Sequence, residues 1–166
     1  NGDGFSDIAI GSNSSIHIIY GKSGGLNSNI NLDDINGVNG FQIVNSGGSS
    51  VGRHISGGGD INGDGIDDLL IGVEGQSYNG VSGVGATYVL FGTKSGFGQQ
   101  YDIANINGTN GFVIYGANEY DNGGNAVFIG DANNDGIDDI LIGVRNSDAG
   151  GTVSGQVQII YGQKGD

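Results

Sequence analysis

One stretch of 14 residues occurs twice in this chain and constrains its fold more than any other feature. It reads DINGDGIDDLLIGV at residues 60–73 and DANNDGIDDILIGV at residues 131–144, and the chain opens on a clipped copy, NGDGFSDIAIGS. Each copy places oxygen-bearing side chains at alternate positions of a glycine-containing turn, and an apolar run follows at once. Because such side chains can all face one centre, the pattern predicts a cation-binding loop that leads into a β-strand.

The oxygen donors in this pattern suit calcium, which takes about six to eight oxygen ligands from carboxylates, amides, carbonyls and water. Side-chain ligands are expected at positions one, three, five and nine of each loop, and a main-chain carbonyl at position seven. The predicted ligands are Asp60, Asn62, Asp64, the carbonyl of Ile66 and Asp68 in one full copy, and Asp131, Asn133, Asp135, the carbonyl of Ile137 and Asp139 in the other. Three carboxylates around a doubly charged ion favour calcium over magnesium, which prefers a smaller octahedron and keeps its waters.

The clipped first copy retains Asn1, Asp3, the carbonyl of Phe5 and Asp7, but it has no residue equivalent to Asp60. We therefore expect two complete calcium sites and one truncated, weaker site near the amino terminus. The chain begins within this loop and without methionine, which suggests a fragment or a processed product.

The loops have two other interpretations. An EF-hand closes with a bidentate glutamate at its twelfth position, whereas the twelfth positions here are Ile71 and Ile142, inside runs that are too short and too rich in β-formers for an exiting helix. A solvated turn rich in Asx residues, without metal, is the other alternative. The recurrence of the pattern favours calcium.

Composition narrows the class of protein. The chain has a net charge of −13, and 10 of its 18 acidic residues lie in the three loops, so much of the acidity is explained by metal ligation. No basic stripe is present to meet phosphates, which argues against nucleic acid as a partner. No apolar run reaches membrane-spanning length. Without cysteine, no disulfide is available, and metal would have to stabilise an extracellular fold.

A longer repeat surrounds the loops. Residues 41–73 align with residues 112–144 at an offset of 71, and each full unit reads as four short strands separated by Gly and Asn. Four strands in about 70 residues predict an all-β β-propeller segment of about two and a half four-stranded blades. The predicted organisation is one segment, 1–166, with a partial blade at 1–21 and blades at 41–92 and 112–162. A two-sheet sandwich is the structural alternative.

The chain resembles the FG-GAP repeats of integrin α-subunit propellers and their bacterial relatives. The resemblance rests on Gly40-Phe41 and Gly111-Phe112, on the two acidic loops, and on Ile71-Gly72 and Ile142-Gly143 after them. The Ala-Pro pair that is frequent in the family is Gly72-Val73 here. The resemblance implies a bacterial-type member of a propeller family that usually has seven blades, so the remaining blades would come from a longer parent chain or from other copies.

Together these features predict a non-enzymatic, calcium-binding segment of a secreted or cell-surface protein. It would act in adhesion or in binding a protein or glycan, with calcium in a structural role. One alternative is a building block of an extracellular filament or layer. Another is a propeller-based polysaccharide-degrading enzyme or accessory module, for which the available bases and acids are Arg53, His54, Glu74, Arg145 and a few lysines. His54 beside Arg53 occurs in one copy, as either a ligand contact or part of a solvated loop.

Overall fold

The computed structural model describes residues 1–163, and these residues form β-strands joined by turns and two short 3-10 helices. The strands, numbered β1 to β11 in chain order, are Ile8–Gly11, Ser15–Ile19, Gly40–Val44, His54–Gly59, Asp68–Val73, Ala86–Leu90, Gln100–Asp102, Gly111–Tyr115, Gly123–Gly130, Asp139–Val144 and Gln156–Ile160. The 3-10 helices are Leu32–Asp34 and Ile103–Asn105. Within residues 1–163, no helix has the length and apolarity needed to cross a bilayer.

The strands form three sheets. The first sheet has the order β1-β2-β3-β7, the second β4-β5-β6-β8 and the third β9-β10-β11. Neighbouring strands are antiparallel except for the short β7, which runs parallel to β3 at the edge of the first sheet. The predicted all-β class and the propeller-like arrangement of sheets are confirmed, and the third sheet excludes the two-sheet sandwich.

The second sheet lies between the other two, so both of its faces are buried. Ile71 and Tyr88 are paired in register and belong to the core shared with the first sheet, whereas the adjacent pair Leu70 and Val89 belongs to the core shared with the third. Because side chains alternate along a strand, burial of both faces requires a continuous apolar run. This is why β5 reads DLLIGV and why its apolar side chains are all buried or nearly so.

The sheets are offset by one strand from the predicted blade bounds. Blades were predicted at 41–92 and 112–162, each beginning with its Phe-containing strand. In the structure, β3 instead pairs with β2 over five residues in the first sheet, and β8 pairs with β6 at the edge of the second. Each sequence unit therefore spans two sheets and links them covalently.

Close packing between neighbouring sheets requires glycine at two equivalent positions. A Cβ on Gly72 of β5 would lie 2.0 Å from the carbonyl oxygen of Gly124 in the third sheet. At the equivalent position of β1, a Cβ on Gly11 would lie 1.8 Å from the carbonyl oxygen of Gly52. No side chain fits at these distances, so Gly11 and Gly72 allow the next sheet to pack against their strands.

Candidate metal centre: three acidic loops

The three acidic loops lie at the start of β1, β5 and β10 and share the same turns. In the second loop, residues 60–68, the backbone N–H of Asp64 donates to Asn62 Oδ1 at 3.0 Å and that of Ile66 donates to Asp64 Oδ1 at 2.8 Å. Side chains of Asn and Asp that accept an N–H two residues on define Asx turns, which favour this loop conformation locally.

The same contacts recur in the other copies. In the third loop, residues 131–139, Asn133 accepts from Asp135 and Asp135 accepts from Ile137, each at 2.9 Å. In the first loop, residues 1–7, Asn1 accepts from Asp3 at 3.0 Å, and Asp3 accepts from Phe5 at 2.9 Å. The loop conformation is therefore a property of the repeated sequence.

The aspartate at position one lies inside the curve of its loop. The carboxylate of Asp60 accepts from the backbone N–H groups of Gly63, Asp64 and Gly65 at 2.7, 3.0 and 2.7 Å. Asp131 accepts from Asp135 and Gly136 at 3.1 and 2.9 Å. The loop thus wraps around a carboxylate, and the wrapping depends on the glycine at position six, which has φ near +85° in both copies.

The aspartate at position nine connects the loop to the residues that follow the neighbouring strand of its own sheet. Asp68 is buried, and its two oxygens accept the backbone N–H groups of Ile61 and Gly92, each at 2.9 Å. Asp139 is also buried and accepts from Ala132 at 2.8 Å and from Gly162 at 3.0 Å.

The first loop repeats this connection. Asp7 accepts from Gly21 at 2.8 Å and from the α-amino group of Asn1 at 3.2 Å. The position-nine aspartate was predicted only as a ligand, yet in all three copies it also holds two segments of the backbone together.

The glycines that donate these hydrogen bonds were missed by the sequence interpretation. A Cβ on Gly92 would lie 2.3 Å from the carbonyl oxygen of Asp67, and one on Gly162 would lie 2.2 Å from that of Asp138. Gly21 is equally close, at 2.3 Å from the carbonyl oxygen of Ser6. The signal was present in the sequence, because each closing strand is followed by an aromatic residue and then Gly.

A second missed residue connects one loop to the next. The carboxylate of Asp138, at position eight of the third loop, accepts the backbone N–H of Asp60 in the second loop at 2.9 Å. The sequence repeats an Asp-Asp pair at positions eight and nine, but only the second aspartate was assigned a role. The two aspartates have different partners. Asp139 accepts hydrogen bonds from its own loop and sheet, and Asp138 accepts one from the second loop.

The second loop brings negative charges close together. Burial raises the pKa of Asp68 to about 6, two backbone hydrogen bonds oppose this rise, and the charges of Asp60 and Asp64 add to it. These negative charges therefore face one another across the loop, which is the situation that a bound cation relieves.

The donor chemistry fits calcium, although the carboxylates are turned towards backbone donors. The side chains that could bind a cation in the second loop offer oxygen atoms, and they belong to Asp60, Asn62, Asp64 and Asp68. The Asn62 amide nitrogen donates to Asp64 Oδ2 at 3.1 Å. Between residues 1 and 163, no three acidic or histidine side chains are gathered closely enough to hold a metal ion. Asp60 Oδ1 accepts two N–H groups, whereas Asp60 Oδ2 and each oxygen of Asp68 accept one and retain a second lone pair for a ligand.

Comparison with known proteins identifies the repeat. Residues 51–90, which contain β4, the second loop, β5 and β6, match the family model of the FG-GAP repeat. The chain is also 31% identical over 109 residues to a phosphatidylinositol-glycan-specific phospholipase D of Dictyostelium discoideum, a match that covers 63% of this chain and 11% of the relative. The chain thus spans about a tenth of that relative's length.

Proposed function

The chain carries an FG-GAP repeat, and on this premise we propose that it is a calcium-stabilised β-propeller segment that binds a protein or glycan partner at the surface of a cell or in secreted material. The observation that carries the proposal is the recurrence of one loop geometry at the start of three strands in three stacked sheets. FG-GAP repeats occur in extracellular or secreted proteins, which supports this location.

The proposed calcium ligands are the oxygen-bearing residues predicted from the sequence in the two full loops and in the shortened first loop. In the second loop they are Asp60, Asn62, Asp64, the carbonyl of Ile66 and Asp68. A bound calcium ion supplies positive charge between carboxylates that otherwise repel one another. The chain's own residues do the positioning: the Asx turns set the alternate spacing, and the position-nine aspartate fixes the loop to the end of its sheet.

The role proposed for calcium is structural. An ion that binds only the folded state stabilises it by about 2.7 kcal/mol at a hundred times the dissociation constant. In a chain without cysteine, and with a net charge of −13, this stabilisation also lowers the repulsion among the acidic side chains.

Further sheets are proposed to cover the two ends of the stack. On the outer face of the third sheet, Phe128 and Val157 are 60% and 66% exposed. On the outer face of the first sheet, Ile8 and Ile10 are also exposed, whereas their equivalents in β5, Leu69 and Ile71, pack in the core between the first and second sheets. The exposed faces carry apolar residues, as the buried faces do. We therefore expect sheets of a longer parent chain, or of other copies, to pack against them.

The same exposed faces support the second candidate, a building block whose copies stack into a filament or layer. Exposed apolar patches of this kind mark interaction sites. Light scattering over a range of concentrations separates the candidates: concentration-dependent growth supports the building block, and a monomer at all concentrations supports a segment that needs sheets from its parent chain.

We propose no catalytic role for this segment. The relative from Dictyostelium is named as a phospholipase D, but the match covers 11% of it. The propeller repeat itself is a structural unit, which supports a binding or scaffolding role.

Thermal unfolding in calcium, in magnesium and in a chelator tests the proposed function. With the loops saturated by calcium, we expect the melting temperature to rise by roughly 5–10 °C per tight site over the chelated protein, and by much less in magnesium. An identical melting temperature in calcium and chelator would defeat the proposal.

A further inference from the structure

We propose that the open edge of β11 is a docking site for one more strand that begins with Asn-Gly-Phe, supplied by a further unit of the repeat. The inference rests on the proposed function, because it specifies the contact through which such a unit would join this segment. Within residues 1–163, β11 pairs with β10 along one edge and has no partner along the other. An open edge presents unpaired backbone N–H and C=O groups to an incoming strand.

The equivalent edges of the other two sheets are occupied in one common register. Phe41 of β3 lies opposite Ile18 of β2, and Phe112 of β8 lies opposite Val89 of β6. The alignment of the three closing strands β2, β6 and β11 places Ile159 at the position of Ile18 and Val89. A strand docked on β11 in this register would therefore place its phenylalanine opposite Ile159.

The aromatic residue after β11 lacks the partner that its equivalents have. The ring centroids of Tyr20 and Phe41 lie 6.0 Å apart, and those of Phe91 and Phe112 lie 5.9 Å apart. Tyr161 is the third copy of this residue and is 58% exposed. In the described part of the chain its ring is not paired with another aromatic ring. The phenylalanine of a docked strand would supply that contact.

The second sheet is also covered less completely on the side of β11. Phe41 and Ile43 of β3 are 3% and 0% exposed, and the third and fifth residues of β8 are among those that pack against their core. Phe112 and Ile114, the equivalent residues of β8, are only partly buried. A strand on β11 would stand next to them as β8 stands next to β3, and would bury more of their surface.

This position determines which side chains the docked strand needs. Ile160 packs against the core between the second and third sheets, and Gln158 and Gln156 lie on the same face of β11 because side chains alternate. The third and fifth residues of the docked strand would lie opposite these glutamines and face the second sheet. They should be apolar, as in the GFVIY sequence of β8. The GFQIV sequence of β3, with a polar third residue, should fit less well.

The residue before the phenylalanine has to be glycine. A Cβ on Gly40 would lie 2.0 Å from the carbonyl oxygen of Ile18, and a Cβ on Gly111 would lie 2.0 Å from that of Val89. The same close approach is expected at the carbonyl oxygen of Ile159. A side chain there would push the docked strand away from β11 and break the pairing.

The turn before the glycine is held by contacts within the segment itself. The backbone N–H of Asn107 donates to Asn110 Oδ1 at 3.0 Å, and Asn110 Nδ2 donates to the carbonyl of Asn105 at 3.1 Å. These contacts favour the docking conformation before binding, which lowers the cost of ordering the segment.

The source of the strand follows from the pairing of the existing copies. In a second molecule of this chain, both Asn-Gly-Phe segments are already paired within their own sheets, through β3 and β8. Donating either one would require that sheet to open. A further repeat unit, whose Asn-Gly-Phe segment is free to pair, supplies the strand without this cost.

The test is a fluorescence-anisotropy titration of the calcium-saturated chain with a labelled peptide of residues 105–116, which carries two terminal lysines for solubility. We expect the peptide to bind, and Phe112→Ser in the peptide to weaken binding about ten-fold or more because a large apolar contact is lost. Gly111→Ala in the peptide should abolish binding, and Val113→Gln should weaken it. No binding of the parent peptide, or equal affinity of all four peptides, would overturn the site.

Backbone hydrogen exchange shows where the peptide binds. The N–H groups of Tyr20 and Phe91 each donate to the carbonyl of the asparagine before the Gly-Phe pair, at 3.0 Å. By this equivalence the N–H of Tyr161 should be protected when the peptide binds, together with those of Ile159 and Val157 at alternate positions. Binding that leaves these three amides unprotected would contradict edge pairing and indicate adsorption to an apolar face.

Two variants of the chain make the test specific. Tyr161→Ser should weaken the peptide about three- to ten-fold, the value of an aromatic pair, with little change in melting temperature because the ring is exposed. Tyr120→Ser, in the loop between β8 and β9, removes a ring that is 61% exposed and should leave binding unchanged. Equal effects of the two variants would contradict the site.

Two further outcomes separate this inference from the proposals above. Growth of the chain with concentration that the peptide suppresses would assign the edge to a second copy and overturn the further unit as its occupant. Loss of calcium stabilisation with peptide binding retained would defeat only the calcium role. Calcium stabilisation without peptide binding would defeat only the docking site.

Discussion

The carboxylate of Asp138 accepts the backbone N–H of Asp60 at 2.9 Å, across the boundary between two sheets. The third acidic loop therefore holds the first residue of the second loop, and Asp60 is the residue around which the second loop wraps. The second and third loops are therefore connected, and the geometry of the second depends on the third.

Asp138→Ala should destabilise the fold by about 1–2 kcal/mol, because it leaves the Asp60 N–H without its charged acceptor. It should also weaken calcium at the second loop, although Asp138 belongs to the third. The matched control is Asp67→Ala at the same position of the second loop, where the side chain is exposed and has no hydrogen bond within residues 1–163. Denaturant unfolding of both variants measures the effect, and equal losses would contradict the inter-loop role.

Gly72→Ala should destabilise the fold by about 2 kcal/mol or more, since its Cβ would meet the Gly124 carbonyl oxygen at 2.0 Å and force the second and third sheets apart. Gly57→Ala in β4 is the control, because its Cβ would have nearest neighbours at an ordinary 3.4 Å. If both variants melt at the wild-type temperature, the close glycine contact does not determine how the sheets pack.

Glu74 should give the fold a pH dependence in the acid range. Its pKa is lowered in the folded state from the ordinary value of 4.5. The largest cause is the hydrogen bond from Asn125, burial opposes it as the next largest, and the hydrogen bond from Arg53 and the nearby basic side chains lower the pKa further. A lowered folded-state pKa contributes stability above the unfolded value, and this stability is lost as pH falls through the folded value.

Glu74→Gln should therefore reduce the free energy of unfolding at pH 7 and matter progressively less below about pH 4.5. Denaturant melts between pH 7 and 3 measure the difference from wild type. Glu119→Gln, in an exposed loop, is the control. Its free energy of unfolding should depend on pH as that of wild type does. A difference for Glu74→Gln that stays constant over the whole range would show that its carboxylate has no electrostatic role.

The parts of the fold that the sequence predicted are those encoded locally. The strands after the loops follow from apolar runs such as LLIGV, and the loop conformation follows from Asx residues at alternate positions. The pairing of β3 and β8 with the preceding sheet was not predicted, because a strand's own pattern does not reveal which neighbour it joins. The edge strand β7, with the sequence QYD, was also missed, since it is too short to show a period.

The sequence predicted the residues of the candidate site within each loop, but not the contacts that these residues make outside it. The positions of Asp60 and Asp68 within the turn could be inferred from spacing, whereas their partners lie far along the chain. Gly92 reaches Asp68 from 24 residues away, and Asp138 reaches Asp60 from 78 residues away. Such contacts arise from the stacking of sheets, which no local pattern specifies. Calcium at these loops stays a prediction.

Calorimetric titration of the metal-free chain with calcium tests the central claim most directly. We expect two tighter sites and one weaker site at the first loop, with Asp64→Asn abolishing one tight site and Asp135→Asn the other, while Lys94→Gln retains all three. Absence of calcium binding, or binding that survives Asp64→Asn and Asp135→Asn together, would contradict the assignment of the acidic loops as calcium sites.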